Sequence, residues 1–267
     1  MILKEKKTKL HQILRTFDRL AVALSGGVDS MVLLAEAHRV MGKRVMAITA
    51  RSVLFPPSEI TDAEKIAREL CVDHVMVDVD VLAWPDFIAN PPDRCYICKK
   101  RIFGTFLTQL AKMGIHHLAH GANLDDQKDI RPGMKAAEAL GVAAPLLEAE
   151  MTKADIRALA QDRGLFSWNK PAMACLATRI PFGTPVSAKI LIQIRDAEKI
   201  LSDAGFEGCR VRHHGAIARI EVAAADLGRL VSPEMGTYIS AKLKAMGFSH
   251  VCADLSGYVT GNMNQLP

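Results

Sequence analysis

The sequence has no apolar run long enough to span a membrane, and its start, Met1-Ile2-Leu3-Lys4-Glu5-Lys6-Lys7, lacks the apolar core of a secretory signal. The cytoplasm is therefore the expected location. Cysteine is sparse, at six in 267 residues (Cys71, Cys95, Cys98, Cys175, Cys209 and Cys252). In a chain of this size without a secretion signal, these read as thiols rather than a disulfide framework. Internal repeats and low-complexity segments are absent. Charge of one sign is scarce too. The 34 basic and 29 acidic residues leave a formal charge of +5, spread along the chain, which suits anionic small molecules without demanding nucleic acid. What remains is 49% hydrophobic and 24% charged, the composition of a soluble globular enzyme, in a length that accommodates two compact units.

The chain is organised around Ser25-Gly26-Gly27-Val28-Asp29-Ser30. The apolar run Leu20-Ala21-Val22-Ala23-Leu24 before it suits a buried parallel strand, and residues 31–40 after it read as a helix. A glycine pair between a strand and a helix N-terminus lets the backbone approach an anion, and the helix end favours negative charge. A phosphate is the expected guest. No lysine follows the glycines to reach a terminal phosphate, so the Walker spacing is excluded. The six residues closely resemble the SGGxDS loop of the ATP pyrophosphatases, which grips the leaving pyrophosphate while a substrate is adenylated.

An amphipathic helix is expected over residues 6–19, and then a βα alternation. Strands are expected near 45–49, 73–79, 116–120 and 144–147, and helices near 58–70, 95–113, 132–140 and 153–163. Such alternation predicts an α/β domain whose parallel sheet is covered on both faces, with ligands at the carboxyl ends of its strands. Near Trp168 the pattern changes, and residues 169–183 have neither period and are punctuated by prolines. Beyond that loop come a helix near 187–204, strands near 210–214 and 217–223, a helix started by Ser232-Pro233 and stopped at Gly247, and a last strand near 250–255. These predict a second, smaller α+β domain, dividing the chain into residues 1–167 and 168–267.

Several constellations could carry chemistry. Asp29 in the loop, and Asp125 and Asp126 after the strand ending His120-Gly121, fall at one sheet edge, where they could share Mg²⁺ with ATP phosphates. Arg210 and Arg212, two apart on a strand, project to one face, and Glu221 on the paired strand could join them. Alternating charge on a strand is also simply what a wet face looks like. Cys95 and Cys98 form a C-x2-C among Arg94, Lys99, Lys100 and Arg101, cations that would lower a thiol pKa. No second pair completes a zinc site, His116 and His117 are unpatterned, and two buried helix thiols are an equal reading. Cys71, Cys209 and Cys252 read as structural. Cys175 lies in the irregular loop, five residues after Lys170 and four before Arg179, where cations and exposure favour a thiolate, although a small buried residue fits the local sequence as well. Ile190, Leu191, Ile194 and Leu201 form an apolar helix face that the small domain's own strands would leave partly uncovered, and association through it is expected.

The stretch 170–183, Lys-Pro-Ala-Met-Ala-Cys-Leu-Ala-Thr-Arg-Ile-Pro-Phe-Gly, resembles the signature of the LarE family. These are ATP-dependent sacrificial sulfur transferases that help build the nickel-pincer nucleotide of lactate racemase. Further matches are residues 25–30, 92–99, 121–126, Arg131-Pro132-Gly133 and 254–258, so the resemblance spans nearly the whole chain. It implies a nicotinic-acid mononucleotide derivative as substrate, activated by ATP and Mg²⁺ as an acyl adenylate. Ser25, Gly26, Gly27, Val28, Asp29 and Ser30 would hold the ATP phosphates. Cys175 would attack the acyl carbon and lose its sulfur, leaving dehydroalanine. The same resemblance implies Thr178, Arg179, Arg210 and Arg212 as substrate or phosphate binders, Asp29, Asp126, Glu198 and Glu221 as metal ligands, and a homo-oligomer. Two positions depart from the family pattern: Val259 and Thr260 follow Gly257-Tyr258 where arginine is usual, and Ile130 stands where tyrosine is common.

Some relatives use three cysteines to hold an iron–sulfur cluster that carries sulfide, and Cys95, Cys98 and Cys175 are the residues for a four-iron four-sulfur (4Fe-4S) alternative. A tRNA-thiolating pyrophosphatase shares the loop and often a C-x2-C, but nothing here resembles an RNA-binding module and the charge is mild. A module that only senses ATP is a third reading, against which stand Asp29 and Cys175.

Overall fold

A computed structural model describes residues 2–128, 132–166, 168–170 and 174–259 of the chain. The expectations attached to Ile130, Arg131, residues 171–173 and Thr260 lie outside the described residues. The elements run α1 (Leu3–Arg15), β1 (Leu20–Ala23), α2 (Val28–Met41), β2 (Val45–Arg51), α3 (Pro57–Glu69), β3 (Asp73–Asp78), α4 (Pro85–Ile88), α5 (Arg94–Ala111), β4 (Leu118–Ala119), α6 (Pro132–Ala139), α7 (Pro145–Glu148) and α8 (Lys153–Asp162). They continue with α9 (Ala188–Asp203), β5 (Arg210–His214), β6 (Ile217–Glu221), α10 (Leu227–Leu230), α11 (Pro233–Ala245) and β7 (His250–Ala253). No helix among the described residues is long and apolar enough to cross a membrane.

Contacts divide the chain into two units, Met1–Val79 with Asp93–Lys170, and Asp80–Pro92 with Pro171–Pro267. The first is the expected α/β domain. Its described strands form one parallel sheet in the order β3-β2-β1-β4, with Leu20 opposite Val45 and Ala21 opposite Leu118. A strand such as β1, buried along nearly its whole length, can be apolar at successive positions because helices cover both faces. α2 is buried from Met31 to Ala37, so the helix that follows the glycine loop is fixed deep in the core.

One expected strand is not there. Residues 145–148 form the helical turn α7, and only Ala143 extends the sheet, by a parallel bridge to Ala119. Pro145 explains the difference: it has no N–H to give a ladder, and its fixed φ suits a first helical turn.

In the second unit β6 pairs antiparallel with β5 and parallel with β7. One sheet face carries Val211, Ala218 and Ile220 into an apolar core with Ala197 and Leu201 of α9, Leu243 of α11, Phe206 and Phe248. Cross-strand pairing puts Arg210 opposite Glu221 and Arg212 opposite Arg219, so all four share the other face. Residues 80–92 belong to this unit because Asn90, at φ 55, donates from Nδ2 to the carbonyls of Pro181 at 2.7 Å and Thr184 at 2.8 Å. That excursion is not contained in a linear division at residues 167/168. The apolar face of α9 is also not as expected: Leu191, Ile194 and Leu201 are buried within the single chain and Ile190 is half-buried. The unit covers its own helix, which removes the ground for association through that face.

Candidate active site

The glycine loop lies where the strand order places it, at the carboxyl end of β1 and the start of α2. Gly27 caps α2 from an extended conformation and Gly26 adopts φ +80. A Cβ at Gly26 would fall 2.2 Å from the carbonyl oxygen of Glu59, so no other residue fits between the loop and α3. Ser30 closes the turn from inside: its Oγ donates to the Gly27 carbonyl at 3.0 Å and accepts from the Ser25 N–H at 3.1 Å. First-turn N–H groups of α2 have no partners within the helix, and together with its dipole they are suited to an anion.

Residues 121–126 are brought to this loop by a second glycine. A Cβ at Gly121 would stand 2.8 Å from the Ser30 nitrogen, so the chain leaving β4 packs directly on the first turn of α2. Asn123 then reaches Asp29 Oδ1 from Nδ2 at 3.4 Å, and Lys153 at the start of α8 places its ammonium 2.6 Å from Asp29 Oδ2. Asp125 Oδ2 accepts the Lys153 N–H at 2.7 Å, a carboxylate at a helix N-terminus, while Asp126 Oδ2 accepts the Asn123 N–H at 3.0 Å. The three acids expected at this edge are thus gathered there, with Asp125 and Asp126 bonded to the backbone that shapes it. Mg²⁺ takes one or two carboxylates together with phosphate oxygens, and Asp29 with Asp126 is a donor set of that kind. Among the described residues no three His, Cys, Asp or Glu side chains form a metal cradle by themselves.

The Cys175 loop belongs to the second unit and is built on Arg179. This arginine is fully buried, and its Nε and Nη2 clasp Glu198 at 2.8 and 3.1 Å. Its Nη1 donates to the Ala174 carbonyl at 2.7 Å, the Cys175 carbonyl at 3.1 Å and Thr178 Oγ1 at 2.9 Å. Thr178 Oγ1 in turn donates to the Cys175 carbonyl at 2.7 Å. The loop rests against the charged sheet face, since Arg212 Nη1 donates to the Thr178 carbonyl at 3.2 Å.

On that face, fully buried Glu221 accepts from Arg212 at 2.5 Å and forms an ion pair with Arg219 at 3.1 Å, and Arg219 also pairs with Asp254 at 2.6 Å. Arg210 lies 5.0 Å from the Tyr258 ring and donates to the carbonyls of Gly208 and Cys209. Burial, and then the like charge of Arg179, lower its pKa. An anion at this face relieves both effects. Glu198 and Glu221, expected as metal ligands, are found holding arginines. Arg179 is found bracing the loop with the same guanidinium that was expected to bind substrate.

Lys170, five residues before Cys175 in sequence, binds Glu59, Asp62 and the Gly26 carbonyl within the first unit. Cys95 is exposed and Cys98 half-buried on the first turns of α5. Cys95 and Cys98 thus belong to the first unit and Cys175, the third cysteine of the cluster alternative, to the second. Cys209 is structural: it is buried, its Sγ donates to the Glu198 carbonyl, and burial pushes its thiol up to about 12. Cys71 and Cys252 are exposed. Lys153, Asn123, Glu59 and Arg219 are site neighbours that sequence reasoning missed. Only the Thr152–Asp155 capping box, which fixes where α8 begins, hinted that Lys153 sits at a helix start.

Residues 9–104 match the asparagine synthase family. The chain is 36% identical over 263 residues to the pyridinium-3,5-bisthiocarboxylic acid mononucleotide synthase of Lactiplantibacillus plantarum, covering 98% of this chain and 95% of that one. It is 34% identical over 265 residues to an uncharacterized protein of Synechocystis sp., covering 99% of both. Against an uncharacterized protein of Methanocaldococcus jannaschii, identity is 27% over 240 residues and 90% of each chain.

Proposed function

Since the chain belongs to the pyridinium-3,5-bisthiocarboxylic acid mononucleotide synthase (LarE) family of ATP-dependent sulfur transferases, we propose that it adenylates a pyridine carboxylate of a nicotinic-acid mononucleotide derivative and replaces the AMP with the sulfur of Cys175. The glycine loop at the head of α2 receives the ATP phosphates, where backbone N–H groups and the helix dipole oppose their charge. A magnesium ion held there by Asp29 and Asp126 would neutralise the departing pyrophosphate. The substrate carboxylate attacks the α-phosphorus, and the acyl adenylate forms as pyrophosphate leaves.

The Cys175 thiolate then adds to the acyl carbon and AMP departs, giving a thioester. Removal of the Cys175 α-proton by a base drives β-elimination: the Cβ–S bond breaks, its electron pair leaves with the thiocarboxylate, and dehydroalanine remains in the chain. The observation that carries this reading is the Arg179 brace, which holds the Cys175 backbone against a sheet face bearing Arg210 and Arg212. Those two arginines supply the positive charge for the nucleotide's own phosphate. Intact-protein mass spectrometry after incubation with Mg·ATP and substrate tests it. The chain should lose one H₂S, and peptide mapping should place the loss at Cys175; sulfurated product from a chain of unchanged mass would refute the sacrificial step.

A further inference from the structure

We propose that Lys170 is a positioning residue of the nucleotide loop, holding the Gly26 carbonyl in place and masking the carboxylates of Glu59 and Asp62 that stand beside it. This rests on residues 25–30 being the site of the ATP phosphates. A lysine ammonium has three donors. Here it donates to the Gly26 carbonyl at 3.2 Å and to Asp62 Oδ2 at 2.6 Å, and it forms an ion pair with Glu59 Oε1.

Gly26 and Glu59 also touch through their backbones, so the loop, the first turn of α3 and Lys170 form one packed cluster within the first unit. Its charge is unusual for a phosphate site. Two carboxylates share the ammonium that holds the Gly26 carbonyl, and that one ammonium answers them both. The lysine and Glu59 side chains are only 19% and 9% exposed, so solvent screens this balance weakly. Burial raises the pKa of Glu59, while the contact and charge of Lys170 oppose that shift. Without the ammonium, an incoming polyphosphate would meet two uncompensated carboxylates and a glycine whose carbonyl has lost its tether.

The test uses the full chain and titrates Mg·ATP calorimetrically into the wild type, Lys170→Met, Lys170→Arg, Asp62→Asn and the Lys170→Met/Asp62→Asn pair. The rate of Cys175 alkylation is followed against pH in parallel. Lys170→Met should bind Mg·ATP about tenfold more weakly or worse, the loss of a charge-assisted contact. Arginine at 170 should restore most of that affinity. Adding Asp62→Asn to Lys170→Met should recover part of it, because one repelling charge is gone. Asp62→Asn alone, which leaves a neutral Lys170–Glu59 pair, should bind more tightly than the wild type. The alkylation profile should stay where it is.

Wild-type affinity in a folded Lys170→Met protein overturns the proposal, as does an alkylation profile moved to higher pH, which would assign Lys170 to the thiol. Should Lys170→Met fail to fold, unchanged or weaker binding by Asp62→Asn overturns it independently. A wild-type chain that binds no Mg·ATP would instead refute the phosphate-loop reading from which the proposal starts.

Discussion

Asp29 and Lys153 stand 124 residues apart in the chain, yet Asp29 Oδ2 and Lys153 Nζ meet at 2.6 Å at the mouth of the glycine loop. Both side chains keep partial contact with solvent, 24% and 29% exposed, so the pair is accessible to a ligand and contributes at most about 1 kcal/mol to stability. An ammonium and a carboxylate at a phosphate loop have separate uses: one opposes phosphate charge and the other holds a cation.

Asp29→Asn should therefore leave the melting temperature almost unchanged while lowering the rate of pyrophosphate release about a hundredfold. A coupled pyrophosphate assay with substrate present reads this directly. Full release by the variant would remove Asp29 from the metal site, and release of ADP in place of AMP would sink the adenylation step itself.

The loop was legible in the sequence because everything that defines it is local: an apolar strand, two glycines and a helix start within a few residues. The α/β alternation was legible for the same reason. What brings other groups to the loop is not local. Gly121 must lack a Cβ because Ser30 lies against it, and Glu59 reaches Gly26 only after a strand and a loop intervene. Lys170 reads in sequence as a neighbour of Cys175, but its partners are Glu59 and Asp62, more than a hundred residues upstream. The apolar run near 144–147 fits a strand or a buried helical turn equally by period, and Pro145 decides for the turn.

Acid should weaken the fold before it reaches the carboxylates. Burial, helped by Lys99, pushes the buried imidazole of His120 down to about 3. The unfolded chain takes up that proton near pH 6.5 and the folded chain does not, so the neutral histidine contributes stability that is lost as pH falls from about 6.5 toward 3, by up to about 1.4 kcal/mol per pH unit. Burial lowers His74, His213 and His214 in the same direction. Melting temperatures measured at about pH 7 and about pH 5 should fall for the wild type and fall less for His120→Asn, which is uncharged throughout. Parallel curves for the two proteins would show that His120 ionises freely in the fold.

Arg179 is the brace of the second unit, and its replacement should separate the two halves of the reaction. Arg179→Met leaves Glu198 buried without its guanidinium and frees the carbonyls of Ala174 and Cys175, a loss of about 3–5 kcal/mol. Lysine keeps the charge but cannot make the fork, so Arg179→Lys should recover little. Calorimetric unfolding should show the loss, with sulfur transfer abolished and Mg·ATP binding retained, because the glycine loop belongs to the first unit. A parallel loss of ATP binding would mean that the brace acts beyond its own unit.

In the proposed transfer, Cys175 supplies the sulfur that reaches the product. Its loop is held by Arg179 and Thr178, whereas Cys209 is buried with its thiol pushed up to about 12, a poor nucleophile at neutral pH. Cys175→Ala should still form the acyl adenylate and release pyrophosphate, since activation is assigned to the loop and to Asp29, yet transfer no sulfur. Cys95→Ala and Cys98→Ala distinguish the two possible sources. Each should complete a single turnover at wild-type yield if Cys175 is consumed, and each should fail if a cluster on all three cysteines delivers sulfide. The yield of thiocarboxylate per chain under single-turnover conditions separates these outcomes. A full yield from Cys175→Ala would eliminate both routes, because each depends on that sulfur.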